Sequence, residues 1–219
     1  MVGLPTHLYR RQRNTLRDIV KHHVDVGELQ IIPQAMGPYH AVMLAANGMP
    51  APDRNMADEA WGVVEVGHFS TDFMVMKKGR WIQEASDVCS GARVAAARFQ
   101  RLLAERGITV KLVQTEAALQ SGRLRHLGEN LDVTTERDLA ATMLVAEVID
   151  TAQRLMDAHV GELDGVIVAG GGASLVYKSI RAKWPHTIMA DDSRFTVAEG
   201  MRRYGEGVVR VRAMLTAAA

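Results

Sequence analysis

The chain has 219 residues, of which 47% are hydrophobic, so it can bury a sizeable core as one large domain or two small ones. Its 26 Lys and Arg residues nearly balance 25 Asp and Glu residues, which excludes a global charge that would draw the protein to nucleic acid or to an anionic membrane. A single cysteine, Cys89, excludes an internal disulfide, and no apolar stretch has the length of a signal peptide core or a membrane span. These features predict a globular cytoplasmic protein.

The first 60 residues predict a short α/β segment. "THLYRRQRNTLRDIVKHH" has apolar residues at helical spacing, with Thr6 as the expected N-cap and a basic outer face. That face could contact DNA or an acidic partner, but a solvated helix face is favoured because the rest of the chain is balanced in charge. "ELQIIPQ" predicts a strand, "GPYHAVMLAANG" a buried helix ending at Gly48, and "MPAPDRNMADEA" a polar loop.

From Trp61 the pattern predicts consecutive strands, "WGVVEVG", "STDFMVMKKG" and "RWIQEAS", with Lys78 and Gly79 as the turn of the last hairpin. A helix follows in "SGARVAAARFQRLLAERG". A longer one follows in "TTERDLAATMLVAEVIDTAQRLMDAHV". One apolar face of this longer helix carries five residues, Leu139, Met143, Ala146, Ile149 and Met156.

The last third of the chain predicts a buried strand, a glycine turn and a helix in "LDGVIVAGGGASLVYKSIRAKW". A short strand, "HTIMA", and a final helix through "EGMRRYGEGVVRVRAML" complete the pattern, with only the "TAAA" tail expected to be disordered. The order of elements predicts an α/β fold with a mixed sheet flanked by helices.

The turn "EVGHFSTD" follows a predicted strand and contains Gly67. A glycine at this place lets backbone amides approach a phosphate, and Ser70 and Thr71 can donate hydroxyl hydrogen bonds. Glu65 and Asp72 are candidates for holding a hydrated Mg²⁺, which takes one or two carboxylates and keeps several waters. The alternative is that the hairpin simply requires a glycine.

The second turn, "VAGGGAS", also follows a hydrophobic strand and opens a helix. Successive glycines let a base or sugar lie against the backbone, and the helix N-terminus adds a partial positive charge. The turn lacks the dinucleotide-binding glycine spacing and the Walker lysine, so neither a dinucleotide fold nor a P-loop is supported. The two turns together, in this order of elements, are more specific than either alone.

On these motifs the chain resembles the actin-like ATPase superfamily, and within it the plasmid-segregation actins of the ParM/StbA type. "EVGHFSTD" is similar to the second phosphate motif of that family, and "VIVAGGGA" to its adenosine motif. "PQAMGPYHAVMLAANG", "TEAALQSGRLRHLGENLD" and "AEGMRRYGEG" extend the resemblance over almost the whole chain. It implies an actin-like (ribonuclease H-like) fold, with residues 1–60 as a remnant of a first domain and residues 61–219 as a second, nucleotide-binding domain.

The resemblance also implies a role for each matching residue, with ATP and Mg²⁺ as cofactors. Gln34 would orient the attacking water, and Glu65 would take the place of an aspartate linked to Mg²⁺. Asp72 would support the phosphate loop, and Gly91 and Glu116 would approach the ribose or the base. The phosphates would be contacted by Gly67, Ser70 and Thr71, and the adenosine by Gly170, Gly171, Gly172 and Ala173.

The resemblance implies nucleotide-dependent filaments, or dimers, that partition plasmid DNA through a DNA-binding adaptor protein. Two departures from the family pattern affect turnover: Glu65 is one methylene longer than the usual aspartate, and His68 stands where a small residue is usual. The first phosphate loop of the family has no counterpart upstream of "GLP", so hydrolysis is expected to be slow or absent. A nucleotide-binding scaffold without turnover, and a sugar or acetate kinase-like member of the superfold, remain the alternatives.

Overall fold

The computed structural model describes residues 1–217, which form nine strands and seven α-helices. The strands are β1 (Val2–Leu4), β2 (Ile31–Pro33), β3 (Ala60–Val66), β4 (Ser70–Lys77), β5 (Arg80–Ser90), β6 (Arg123–His126), β7 (Glu129–Asp132), β8 (Gly165–Ala169) and β9 (Thr187–Met189). The helices are α1 (Thr6–His23), α2 (Met36–Met43), α3 (Arg93–Glu105), α4 (Leu112–Ser121), α5 (Thr134–Met156), α6 (Ala173–Lys183) and α7 (Thr196–Ala217).

The central sheet has five strands in the order β5-β4-β3-β8-β9. Strands β3, β4 and β5 form an antiparallel meander, whereas β8 and β9 run parallel to β3. Strands β1 and β2 form a separate parallel pair, and β6 and β7 form an antiparallel hairpin. The predicted mixed sheet flanked by helices is therefore confirmed.

Helices cover both faces of the central sheet, and β3 is buried along its whole length. Because side chains alternate along a strand, Val64 and Val66 pack on the face covered by α5 and α6, and Trp61 and Val63 pack on the face covered by α2. The predicted boundary between residues 60 and 61 falls where β3 begins. The division into two domains stays a proposal.

Most predicted helices and strands are confirmed, but three details are wrong. Helix α1 begins at Thr6 with Pro5 as its N-cap residue, so Thr6 is not the cap. Helix α2 ends at Met43 instead of Gly48, because Leu44 leaves the helix and bridges to Pro50. Helix α7 extends through Ala217, so the first half of the predicted disordered tail is helical, whereas Ala218 and Ala219 lie outside the described residues.

The buried face of α5 also differs from the predicted one. Leu139 and Met143 are 46% and 61% exposed. Of the predicted face, Met156 is buried and Ile149 is partly buried. The other buried residues form a neighbouring face rich in small residues, which consists of Ala140, Ala141, Leu144, Val148, Thr151, Ala152 and Leu155. Small residues let α5 approach α3 and α6 closely, and a reading of hydrophobicity alone favours the larger side chains.

Helices α2 and α7 cross at a close backbone contact. A Cβ atom on Gly200 would stand 1.7 Å from the carbonyl oxygen of Gly37, so only glycine fits at this crossing. Beside the crossing, the rings of His40 and Tyr204 stack with centroids 4.3 Å apart. Burial lowers the pKa of His40 to about 4, so the imidazole is neutral at pH 7. This contact fixes α7 against the part of the chain that precedes the central sheet.

Replacing Gly200 with alanine should lower the free energy of unfolding by at least about 2 kcal/mol, because the new methyl group overlaps the Gly37 backbone. Gly205→Ala in the same helix is the matched control, since its Cβ would meet only the flexible Met1 side chain. That substitution should leave stability unchanged or raise it by up to about 1 kcal/mol. Urea unfolding measures both, and equal effects would contradict the close crossing.

Candidate functional site

The two glycine turns lie side by side at one edge of the central sheet. This follows from the parallel pairing of β3 and β8, in which Glu65 is the register partner of Ala169 and each strand ends in a turn. The amide of Gly172 donates a 2.9 Å hydrogen bond to the carbonyl oxygen of Val66, which joins the two turns directly. The two segments predicted to bind one ligand are therefore neighbours.

A cleft of about 530 Å³ opens over these turns. Its walls are the β3–β4 turn, the start of α3, one side of α4, the β8–α6 turn and the loop after β9. The lining residues are Glu65, Gly67, His68, Ala92, Ala96, Val113, Glu116, Ala117, Leu119, Gln120, Gly171, Gly172, Leu175 and Arg194. The volume of this cleft and its mixture of polar and apolar lining residues are typical of a site for a small organic ligand.

Both turns present backbone donors to the cleft. Within residues 1–217, the amides of His68 and Gly171 donate no backbone hydrogen bond. No heavy atom lies within 4 Å of the position that a Cβ of Gly171 would take, so this glycine faces open space. Helix α6 begins two residues later and adds the partial positive charge of its N-terminus. The cleft floor is therefore suited to an anion.

Glu65 stands at the inner end of the cleft and is only 8% exposed. It is the cross-strand partner of Asp72, and its Oε1 atom would lie 2.6 Å from a Cβ on Gly170. Burial, and to a lesser extent the neighbouring Asp72 carboxylate, raise the pKa of Glu65 to about 8. In the absence of a bound cation the Glu65 carboxyl is thus mostly protonated at pH 7.

The polar groups that follow the first turn are bonded within the protein. One oxygen of Asp72 accepts a 2.6 Å hydrogen bond from the amide of Thr6, at the start of α1, and the other accepts from the Ser70 hydroxyl at 3.2 Å. Thr71 is fully buried, and its hydroxyl donates to the carbonyl oxygen of Ser90 at 2.8 Å. None of these three side chains lines the cleft.

Four further predicted residues, Gly91, Gly170, Ala173 and Gln34, also lie outside the cleft lining. Gly91 packs beneath the β3–β4 turn, where a Cβ would stand 2.5 Å from the Ser70 nitrogen. Gly170 has a φ of +91° and contacts Glu65, and Ala173 is fully buried at the start of α6. Gln34 follows β2 and packs against Gly3 of β1. Of the predicted site residues, the cleft brings together Glu65, Gly67, Glu116, Gly171 and Gly172.

The sequence reading missed two polar residues of the cleft. Gln120 of α4 donates from Nε2 to the carbonyl oxygen of Gly171 at 3.3 Å, and Arg194 lines the cleft from the loop after β9. Both also line a second cavity of about 550 Å³ that continues past Gly171 towards Asp191. The sequence pattern indicates such residues only weakly, because no periodicity distinguishes a side chain that reaches a site from a loop or from one turn of a helix.

Residues 1–217 contain neither a metal-binding cluster nor a membrane-spanning helix. No group of three or more His, Cys, Asp or Glu side chains is placed to hold a metal ion. No helix in that range is long and apolar enough to cross a membrane.

Replacing Glu65 with glutamine should change how stability depends on pH. The folded pKa of about 8 exceeds the ordinary value of 4.5, so the wild-type carboxyl contributes full stability below pH 4.5 and loses it as pH rises to 8. The free energy of unfolding of wild type should fall by roughly 2–5 kcal/mol relative to Glu65→Gln over this range. Urea titrations in EDTA measure it, with Glu129→Gln on β7 as an exposed control; parallel curves for Glu65→Gln and wild type would contradict the burial effect.

Comparison with known proteins gives a family for the chain. A family model described as the C-terminal domain of archaeal actin homologue MreB-like proteins matches residues 63–182, more than half of the chain. No curated protein sequence matches significantly.

Solved structures of actin homologues share the fold. The archaeal actin homologue Ta0583 in complex with ADP superposes with a TM-score of 0.73 at 18% identity, covering 94% of this chain and 71% of that chain. A ParM filament from Clostridium botulinum gives 0.72 at 18% identity, covering 94% and 66%. MreB5 of Spiroplasma citri bound to ADP gives 0.72 at 14% identity, covering 94% and 69%. The chain thus spans about two thirds of their length, has an actin-like fold, and belongs to the family of archaeal actin homologue MreB-like C-terminal domains.

Proposed function

We propose that the cleft binds ATP or ADP. The observation that carries this proposal is the direct hydrogen bond between the two glycine turns, Gly172 to Val66, which puts free amides from both turns around one cavity. Solved actin homologues of the same fold are described in complex with ADP, which supports the same ligand here.

The phosphates would lie over the β3–β4 turn and the start of α6. The free amides of His68 and Gly171 and the α6 N-terminus favour negative charge there. The nucleoside would extend along Gly171 and Gly172 towards Gln120 and the second cavity. The predicted contacts of Ser70 and Thr71 with phosphate would require their present hydrogen bonds to open.

The donor set at the inner end of the cleft fits Mg²⁺ that keeps most of its waters. Glu65 offers a carboxylate, whereas both oxygens of Asp72 are already bonded to Thr6 and Ser70. When bound, the cation would neutralise charge on the phosphates. Glu65 would have to ionise, which is costly in its buried position.

We infer that nucleotide binding drives self-association into filaments, and that such filaments partition plasmid DNA through a DNA-binding adaptor. A ParM filament of the same fold supports this inference. The role proposed for Gln34 in orienting water has less support, because Gln34 does not line the cleft and its side chain lies against Gly3. The burial of Glu65 favours a second candidate, a nucleotide-dependent scaffold with little turnover.

Replacing Gly171 with leucine should abolish ADP binding without destabilising the protein. A Cβ on Gly171 would meet nothing within 4 Å and Gly171 lines the cleft, so the leucine side chain should extend into the ligand volume. Gly161→Leu is the matched control, since its Cβ also meets nothing within 4 Å and Gly161 lies outside the cleft. Calorimetric titration with ADP and a melting curve measure both variants; ADP binding by Gly171→Leu equal to that of wild type would contradict the site.

Turnover and assembly separate the two candidate functions. Wild type and Gly171→Leu are incubated with ATP and Mg²⁺ while light scattering and phosphate release are followed. Polymer with phosphate release supports a filament ATPase, and polymer without it supports the scaffold. Identical scattering by wild type and Gly171→Leu would show that assembly does not depend on this cleft.

A further inference from the structure

A close pair of polar side chains joins two walls of the cleft. Nδ1 of His68, on the β3–β4 turn, lies 3.1 Å from Oε1 of Glu116, on α4. The side chains are 33% and 44% exposed, and both line the cleft together with Glu65 and Gly171. The pair therefore lies where a ligand can reach it.

The fold does not depend on this pair. The β3–β4 turn is held by backbone hydrogen bonds from Ala92 to Gly67 at 2.9 Å and from Arg93 to His68 at 2.8 Å. Helix α4 is anchored by Ala118 and Leu119 in a separate core cluster. Partly exposed ion pairs contribute little to stability, so a structural purpose does not account for the placement of the imidazole.

The contact with Glu116 engages one ring nitrogen of His68. Because Nδ1 lies beside the Glu116 carboxylate, Nε2 is the ring nitrogen left for another group. His68 also carries a backbone amide that makes no backbone hydrogen bond in the described part of the chain, so one residue offers two groups to a ligand. Of the side chains that line the cleft within residues 1–217, only His68 and Arg194 can carry a positive charge, and they belong to different walls. A ligand with phosphates over the first turn would therefore meet His68.

We propose that His68 contacts the phosphates of a nucleotide through Nε2, with Glu116 as its positioning residue, so that the pair selects nucleoside phosphates over nucleosides. The inference rests on the proposed nucleotide-binding function of the same cleft. A hydrogen bond from imidazolium to phosphate is charge-assisted, and it has no counterpart when the ligand ends at the ribose.

The test compares ADP with adenosine on the full chain by calorimetry. His68→Ala should weaken ADP binding about tenfold and change adenosine binding less than about twofold, since adenosine has no phosphate to lose a contact. His159→Ala, a half-buried histidine outside the cleft, should change neither affinity. Equal losses of ADP and adenosine affinity in His68→Ala would mean a merely structural role and would overturn the proposal.

The positioning role of Glu116 has its own readout. Glu116→Gln keeps a polar side chain beside Nδ1 and should lose about threefold in ADP affinity, less than Glu116→Ala. Adding Glu116→Ala to His68→Ala should cause no further loss, because Glu116 acts through the imidazole; additive losses would overturn this. Wild type that binds no ADP would refute the proposed function and this inference together. ADP binding unchanged in His68→Ala would refute the inference alone.

Discussion

The parallel pairing of β3 with β8 is the constraint on which the cleft depends. It aligns two strand ends that are about 100 residues apart in sequence, so that one turn carries Gly67 and the other Gly170 to Gly172 at the same edge. The Gly172 amide then bonds to Val66, whereas the Gly171 amide makes no backbone hydrogen bond within residues 1–217 and Gly171 lines the cavity. With no side chain at Gly171, that amide remains accessible to a ligand.

The same packing makes the ionised form of Glu65 energetically costly. Its register partner is Asp72, and both carboxyls are nearly excluded from solvent. Asp72 is compensated by a backbone amide and a hydroxyl, whereas the main influence on Glu65 is burial, which favours its neutral form. A buried carboxyl that is neutral until a cation binds is typical of a site adapted to a charged ligand.

Strong periodicity and glycine punctuation made much of the fold predictable. The β3–β5 meander, the Lys78–Gly79 turn and the strand–turn–helix around Gly170 are encoded locally. Other features depend on tertiary contacts. Thr6 was predicted to cap α1 because its residue type suits a cap, but Asp72, distant in sequence, accepts from the first amide instead. The site divides in the same way. The glycine turns are visible in the sequence, because they are local features. The contacts of His68 with Glu116 and of Gln120 with Gly171 depend on how α4 packs, which the sequence pattern does not give.

The Asp72 carboxylate has a mechanical consequence. Its two oxygens hold the first amide of α1 and the hydroxyl of Ser70, at the end of the glycine turn. A rotation of this one side chain shifts both partners at once, because neither bond can lengthen much before it breaks. The glycine turn and helix α1 are thus linked through a single side chain, by two hydrogen bonds.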